Sequence, residues 1–563
     1  MTTTDPAGPR PVALLGWSLL ACCIAQAVIW YIVDKGGTSP IFWYLLRTYD
    51  THGNALVAAI VFAAFVLRGR ADALQVVRIA AERPWACAAL AFPLLCVGAL
   101  QVYRAHPVSM DEYSTLFQSH VFAAGKLSGV LPPELLDRLI PRHFHGQFFS
   151  VARETGEVSS MYWPSFPLLL APFSWLGVPW MANPLIAALT LPAVHAFARE
   201  VTGSRDAGGW ALLLTAASPV FVVTSISLYS MPAHLLFNLW YAVLLLRPTP
   251  ARAALAGLCG SIALTLHFPL RHVLFAAPLV AWVLLQPGRA KNLLALAAGY
   301  APLGLLLGLG WHAHITDASR VVAALPTTSA ATALAPPPPA VAASPVLRAL
   351  DALRLPGITV LDARFATLTK DWTWSAAGTL VLAGYGIVRC WALPAIRVLS
   401  AVLVVTFVGY FASAGDQGHG WGDRTLYQAW FILPVLASAG LVRLPSVVPQ
   451  AAAMAAWLAV LSLLLANGLR LMQVHGFVGQ FLRQVPPLAQ PANRERPQVV
   501  FVNLAKGFYT RDLVQNDPFL RGPRIVMVMG PAESAEALMA ARFPGYRKVR
   551  EGEWGQLWEH APK

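Results

Sequence analysis

Asp111 and Glu112 stand side by side in the first polar segment after an apolar stretch, Pro84 to Val102, in a chain otherwise poor in charge. Ionisable groups at the mouth of lipid-embedded helices are costly, so the placement points to an active carboxylate at a membrane surface. A second polar constellation lies far downstream, where His419 and Asp423 flank Arg424 in Gly420-Trp421-Gly422-Asp423-Arg424. A guanidinium suits bidentate contact with phosphate. Arg271-His272, after His267, forms a third at a turn between apolar runs. His143 and His145 straddle Phe144, but two histidines two apart with no third ligand nearby do not define a metal site. Each group also admits a plainer role. The acidic pair can cap a helix, an arginine in a turn can bind lipid head groups or pair with Asp416 or Asp423, and the histidines can sit at the surface.

The elements that must position these groups are helices in lipid. The chain has 563 residues, 57% hydrophobic and 12% charged, with a mean hydropathy of +0.57. Long apolar runs recur from about Val12 to residue 470, about thirteen of them near the roughly 20 residues that cross a bilayer. The fold class expected is an all-α polytopic membrane protein, since helices satisfy their backbone groups internally and no alternating barrel pattern is present. The net charge of +14 lies largely in short arginine-bearing loops, which fits orientation by positive charge and contact with membrane lipids and is no signal for nucleic acid. That rule puts the N-terminus in the cytoplasm, with Val12 to Val33 a retained helix, and places Asp111, Arg424 and the C-terminal tail outside. The six cysteines read as packing residues with no disulfide framework.

Residues 1–473 are therefore expected to form the transmembrane domain, with outer loops 103–180 and 312–370. The proline-punctuated stretch from Tyr162 to Trp180 is assigned to the membrane interface, and 320–346, with Pro336 to Pro339, to a mobile outer loop. Residues 474–563 are expected to form a small extracytoplasmic α/β domain. Its strands are predicted at Val499 to Leu504, Ile525 to Met529 and Gly555 to Glu559, and its helix at Ser534 to Arg542. No P-loop, GxGxxG, HExxH or GxSxG occurs, which argues against an ATPase, a dehydrogenase, a zincin or a serine hydrolase.

Met110-Asp111-Glu112-Tyr113, followed by Gln118 and Ala124-Gly125-Lys126-Leu127, resembles the first outer loop of GT-C glycosyltransferases. The likeness is to the bacterial branch related to protein O-mannosyltransferases and the lipid A aminoarabinose transferase. Gly156 to Pro172 with Trp180 and Asn183-Pro184-Leu185, Ser218-Pro219 through Ser230 and His234, and Gly420 to Arg424 with Pro434 extend it. The similar segments cover about residues 84–290 and 415–442, leaving the tail and the 312–370 loop outside.

The resemblance implies a transferase on the outer side of a bacterial cytoplasmic membrane. It would take a sugar from a polyprenyl-monophosphate donor and give it, with inversion, to a lipid, glycan or protein acceptor. By that analogy Asp111 is the general base and Glu112 a hydrogen-bonding or metal-binding second carboxylate, since adjacent helical residues cannot face one atom. Arg424 is the first candidate for the donor phosphate, being a cation on the side where topology disfavours one, with Arg271 and His419 beside it. Tyr162 and Trp163 could stack on a sugar, with His234 and Gln118 as further substrate contacts; interface anchoring is the alternative for the aromatics. No cofactor is demanded by any motif, and a divalent cation is the one left open. The rival from another class is a lipid-linked glycan transporter or flippase, which would also need many spans, broken helices and outer cations.

Overall fold

The computed structural model describes residues 10–32, 40–316, 357–412, 417–444, 448–492, 494–530 and 532–560. It is a predominantly helical polytopic membrane protein with a small C-terminal sheet domain. Among the described residues seven helices are long and apolar enough to cross a membrane: Val12–Ile32, Pro40–Gly69, Pro84–Gln101, Pro179–Thr202, Arg289–Thr316, Pro394–Ala412 and Pro449–Arg483. Five shorter apolar helices accompany them, Met231–Leu246, Pro250–Leu264, Leu270–Leu284, Thr379–Cys390 and Tyr427–Leu441. Arg205–Ala216 and Pro219–Ser225 form a further pair, bent by 64°. Pro219 has no N–H to continue the ladder at that bend. The Ser218 hydroxyl turns back to the Leu214 carbonyl and also accepts the Ala376 N–H at 2.7 Å, so the break is stitched to a neighbouring segment.

Between the third span and Pro179 the chain builds a cap. A 14-residue helix, Met110–Ala123, is followed by an antiparallel sheet in the order β1 (Gly129–Val130), β3 (Glu157–Ser160), β2 (Phe149–Val151). Gly156 turns the chain into β3 at φ +74°, where a Cβ would lie 1.9 Å from the Leu131 carbonyl oxygen, so only glycine fits. After β3 comes an 11-residue helix, Ser165–Trp175, within the proline-punctuated stretch.

The C-terminal sheet has the order β5 (Arg524–Val528), β4 (Gln498–Val502), β7 (Gly555–His560), β6 (Tyr546–Gly552), with Ala532–Arg542 a helix after β5. The edge strand β6 carries Arg547, Lys548 and Arg550 and is exposed, so its charges hide it from an apolar pattern. β4 and β5 are parallel, which requires a crossover, here residues 503–523. The two sheets share one apolar core. Met110, Tyr113, Phe117, Phe149 and Val158 from the cap pack with Val499, Phe501, Met527 and Trp558 from the tail.

Two expected boundaries move. The 312–370 loop is helical at both described ends, in Arg289–Thr316 and in Ile358–Trp374, while 317–356, including the proline run, lies outside the described residues. Ile358–Trp374 escapes an apolar reading because it buries Arg364, Lys370 and Asp371. The division at 473/474 falls inside one helix, Asn467–Arg483, which crosses it without a break.

A buried charge cluster ties three of these elements. The Asp50 carboxylate meets Lys370 Nζ at 2.9 Å and Arg470 Nη2 at 3.1 Å, and accepts the Trp374 indole N–H at 2.6 Å. All three charged side chains are at most 2% exposed. Gly53 makes room for Arg470, since a Cβ there would stand 2.2 Å from the guanidinium. Removing one member strands the others in low dielectric. Asp50→Asn should therefore destabilise the protein by about 3–5 kcal/mol, read as a lower thermal unfolding midpoint in lipid nanodiscs. An unchanged midpoint would show that the cluster does not hold the helices together.

Candidate active site

Asp111 sits in the first turn of Met110–Ala123, where an acidic residue is favoured by the helix dipole. Ser109 occupies the N-cap position in extended backbone, but its hydroxyl donates to the Tyr229 phenol oxygen at 2.9 Å instead of capping. The Met110 N–H faces the carboxyl of Asp512, supplied by the C-terminal crossover. Gln515 Nε2 donates to the Pro107 carbonyl at 3.0 Å, and the Tyr113 hydroxyl bonds the Asn516 carbonyl at 2.8 Å. The tail thus fixes the helix that bears Asp111.

Two groups hold the Asp111 carboxylate. Arg424 Nη1 meets Oδ2 at 2.6 Å, and the Tyr162 hydroxyl donates to Oδ1. Burial pushes this carboxyl up, but Arg424, the Tyr162 hydroxyl and Arg271 outweigh it and leave Asp111 below the usual carboxylate range. Arg424 is fixed in turn. Its Nη1 also donates to the His419 carbonyl at 2.5 Å, its backbone N–H to Gln417 Oε1 at 2.8 Å, and its guanidinium lies 4.6 Å above the Tyr229 ring. Burial opposes its charge, yet Asp111 more than compensates and keeps Arg424 firmly protonated.

Around this pair opens a cavity of about 1190 Å³. Arg271, Arg364 and Arg424 line it from the helical body and Arg511 from the C-terminal crossover, against Asp111 and Asp512. The Arg271 guanidinium makes no hydrogen bond or ion pair to a described residue. Arg364 is buried and donates from Nε to the Tyr410 carbonyl at 3.0 Å. Burial lifts the Asp512 carboxyl to about 7, so it is only partly ionised near neutrality.

His419 adds a neutral donor. Ser109 donates to the Tyr229 oxygen, so the Tyr229 O–H is directed at His419 Nδ1, 2.7 Å away. Burial and the Arg424 charge press the ring's pKa down to about 3. A neutral ring accepting at Nδ1 carries its proton on Nε2, which has no partner among the described residues and belongs to a cavity-lining side chain. A buried donor left unmade costs about 1–3 kcal/mol, so an anion in the cavity would find it waiting.

The structure brings together Asp111, Arg424, Arg271, His419 and Tyr162, and separates the other expected site residues from them. Glu112 points away from the cavity. Its two oxygens accept the backbone N–H groups of Val108 at 2.9 Å and Leu228 at 2.8 Å, so it ties the entry of the helix to the 226–230 turn. Burial raises it to about 7 despite those bonds. Each oxygen is thus engaged by a backbone donor. Gln118 is similarly occupied, donating to the Leu127 carbonyl and accepting the Ser160 N–H, both at 2.9 Å, which hangs the cap sheet on the helix. Trp163 packs toward Gly308, and His234 is buried behind the cavity wall with neither ring nitrogen partnered among the described residues. Tyr162 lines the cavity, but its ring lies 4.3 Å from that of His267 and its hydroxyl is committed to Asp111, making it a support for the carboxylate. His143 lines the cavity edge, whereas His145 bonds the Ile140 carbonyl at 3.0 Å. Among the described residues no three His, Cys, Asp or Glu side chains form a metal-ligand group, and the chemistry below uses the chain's own residues.

Three charged cavity residues, Arg364, Arg511 and Asp512, were not singled out from the sequence, nor was Tyr229, whose ring lies under the Arg424 guanidinium. Arg364 lies in the stretch expected to be a loop. Tyr229 stands one residue before Ser230 in the third similar segment, and its aromatic character was the available signal. Arg511 and Asp512 lie in the tail, which no motif covers.

No protein-family model matches the sequence, and no curated protein matches it. Among solved structures, similar arrangements occur in ArnT from Cupriavidus metallidurans bound to undecaprenyl phosphate, with 12% identity, and in the apo state of the same protein, with 13% identity. Each match covers 84% of this chain and 98% of that chain at a TM-score of 0.47.

Proposed function

We propose that this chain is a glycosyltransferase of the outer face of a bacterial cytoplasmic membrane. It transfers a sugar from a polyprenyl-monophosphate donor to a lipid, glycan or protein acceptor, with inversion at the anomeric carbon. The observation that carries this is one carboxylate, Asp111, held by Arg424 and Tyr162 inside a large cavity that four arginines line. The motifs around Asp111, Tyr162 and Arg424 that resemble the GT-C family support it, as do the apolar helices beneath the cavity.

In this mechanism the donor phosphate enters between Arg271, Arg364 and Arg424, and the His419 Nε2–H donates to one of its oxygens. The phosphate competes with Asp111 for the Arg424 guanidinium. As the counter-charge is shared, Asp111 becomes more basic at the moment a substrate is present. The acceptor hydroxyl donates to Asp111 and attacks the anomeric carbon; its proton passes to Asp111 as the new C–O bond forms. The old C–O bond breaks with its electron pair going to the phosphate, where the arginines meet the growing charge. A positioned base typically contributes about 10²–10⁴-fold, and cations at the leaving oxygen act in the same step.

Three outcomes follow from the assignment. Asp111→Asn keeps shape and loses the base, so turnover should fall by about 10²-fold or more. Mass spectrometry of nanodisc-reconstituted protein with polyprenyl-phosphate sugars and membrane extract reads this directly. Free polyprenyl phosphate should appear with wild type and not with the variant. Equal release by both would remove Asp111 from the mechanism, and movement of intact donor across the bilayer would instead favour the transporter.

Arg424 lowers the Asp111 pKa, so Arg424→Ala should move the acid limb of the kcat/KM profile to higher pH, while Arg424→Lys leaves it closer to wild type and impairs donor use less. An unmoved limb in the alanine variant would break the link between the two residues. Glu112→Gln, by contrast, turns a donor toward one of two backbone N–H groups. It should cost about 1–3 kcal/mol of stability while the folded fraction keeps most of its kcat. A kcat loss as large as that of Asp111→Asn at unchanged stability would return Glu112 to the chemistry.

A further inference from the structure

A second cavity, of about 750 Å³, lies between the cap and the C-terminal sheet. His143 and Arg511 line both this cleft and the catalytic cavity, so the two volumes meet at those side chains. The walls come from residues 137–143 of the cap and from the β4–β5 crossover and strand ends of the tail, with none from the apolar helices. That placement suits a water-borne group and not an acyl chain.

The cleft is cationic in an unbalanced way. Arg142 and Arg153 both pair with Asp137, at 2.6 and 2.9 Å, which neutralises the cleft's one carboxylate. Arg138 is held rigid by Ser534 Oγ at 2.9 Å and faces the same space. Arg511 is exposed, and its guanidinium makes no hydrogen bond or ion pair to a described residue. An exposed arginine with no partner at the junction of two cavities offers a fork of donors to whatever passes. Partial burial and the Arg511 charge hold the His143 ring beside it below the ordinary imidazole range.

We propose that this cleft is the acceptor subsite, and that it recognises an anionic sugar through Arg511 and Arg138. A phosphate or carboxylate on the acceptor docks there, while a hydroxyl of the same molecule reaches past His143 to Asp111. The assignment rests on the transferase function proposed above and names the class of acceptor. It also explains why the tail contributes to the cavity at all. Arg511 is then a specificity residue, separate from the Arg424 and Arg271 that meet the donor.

The test uses the full chain in nanodiscs and isothermal titration with glucose 6-phosphate, glucuronate and uncharged glucose, alongside a short-chain polyprenyl phosphate. One of the two anionic sugars should bind, and the one that binds tells phosphate from carboxylate. Arg511→Ala should weaken it by about tenfold, the scale of one lost charge-assisted contact, with Arg511→Lys between the two and polyprenyl phosphate affinity little changed. The proposal falls if glucose binds as well as the anionic sugars, if Arg511→Ala leaves their affinity unchanged, or if saturating polyprenyl phosphate abolishes their binding, since they would then share the donor cavity. A wild-type protein that fails to bind polyprenyl phosphate fails the donor assignment instead, whatever the sugars do.

Discussion

The ion pair between Asp111 and Arg424 is the constraint on which the rest of the structure turns. A carboxylate beside an apolar helical body is stable only if a cation and a hydroxyl meet it, and both must come from distant parts of the chain. Arg424 arrives on the short segment before Tyr427–Leu441, fixed by Gln417, His419 and the face of Tyr229. Tyr162 arrives at the end of β3, which Gln118 hangs on the very helix that carries Asp111. The cap sheet, the outer ends of the spans and the tail can thus be read as means of bringing three side chains to one point.

The same constraint governs the polar groups away from the cavity. Glu112 accepts two backbone N–H groups that a bent chain would otherwise leave bare, and Asp50 gathers two cations and an indole in the helical body. In a medium that offers no water, a charge is retained only where several donors or acceptors converge on it. Adjacent acidic residues on one helix therefore take opposite duties because they face opposite directions, one into open space and one into the protein.

How much of this could be read in the sequence depended on distance and on background. Asp111, Arg424 and Arg271 stood out because they are charged residues between apolar runs, and Tyr162 and His419 because they lie in recognisable neighbourhoods. The strands β4, β5 and β7 and the helix Ala532–Arg542 carry ordinary patterns and were found near their true bounds. β6 was not, since its charged residues mask the alternation. Ile358–Trp374 was hidden for a related reason: Lys370 and Arg364 look like solvated residues until their partners, Asp50 and the Tyr410 carbonyl, are known. Arg511 and Asp512 had no local signal, because what they face is created by a fold that brings the tail onto the cap.

The parallel pairing of β4 and β5 has a consequence in time. Its crossover supplies Asp512 to the start of the helix bearing Asp111 and Asn516 to Tyr113, contacts spanning some four hundred residues of sequence, as in the Tyr113 hydroxyl to Asn516 bond with its separation of 403. During synthesis the segment bearing the carboxylate emerges early, while the segment that steadies it follows some four hundred residues later. The cavity is consequently complete only once the tail has folded onto the cap, however early the helices before it have settled.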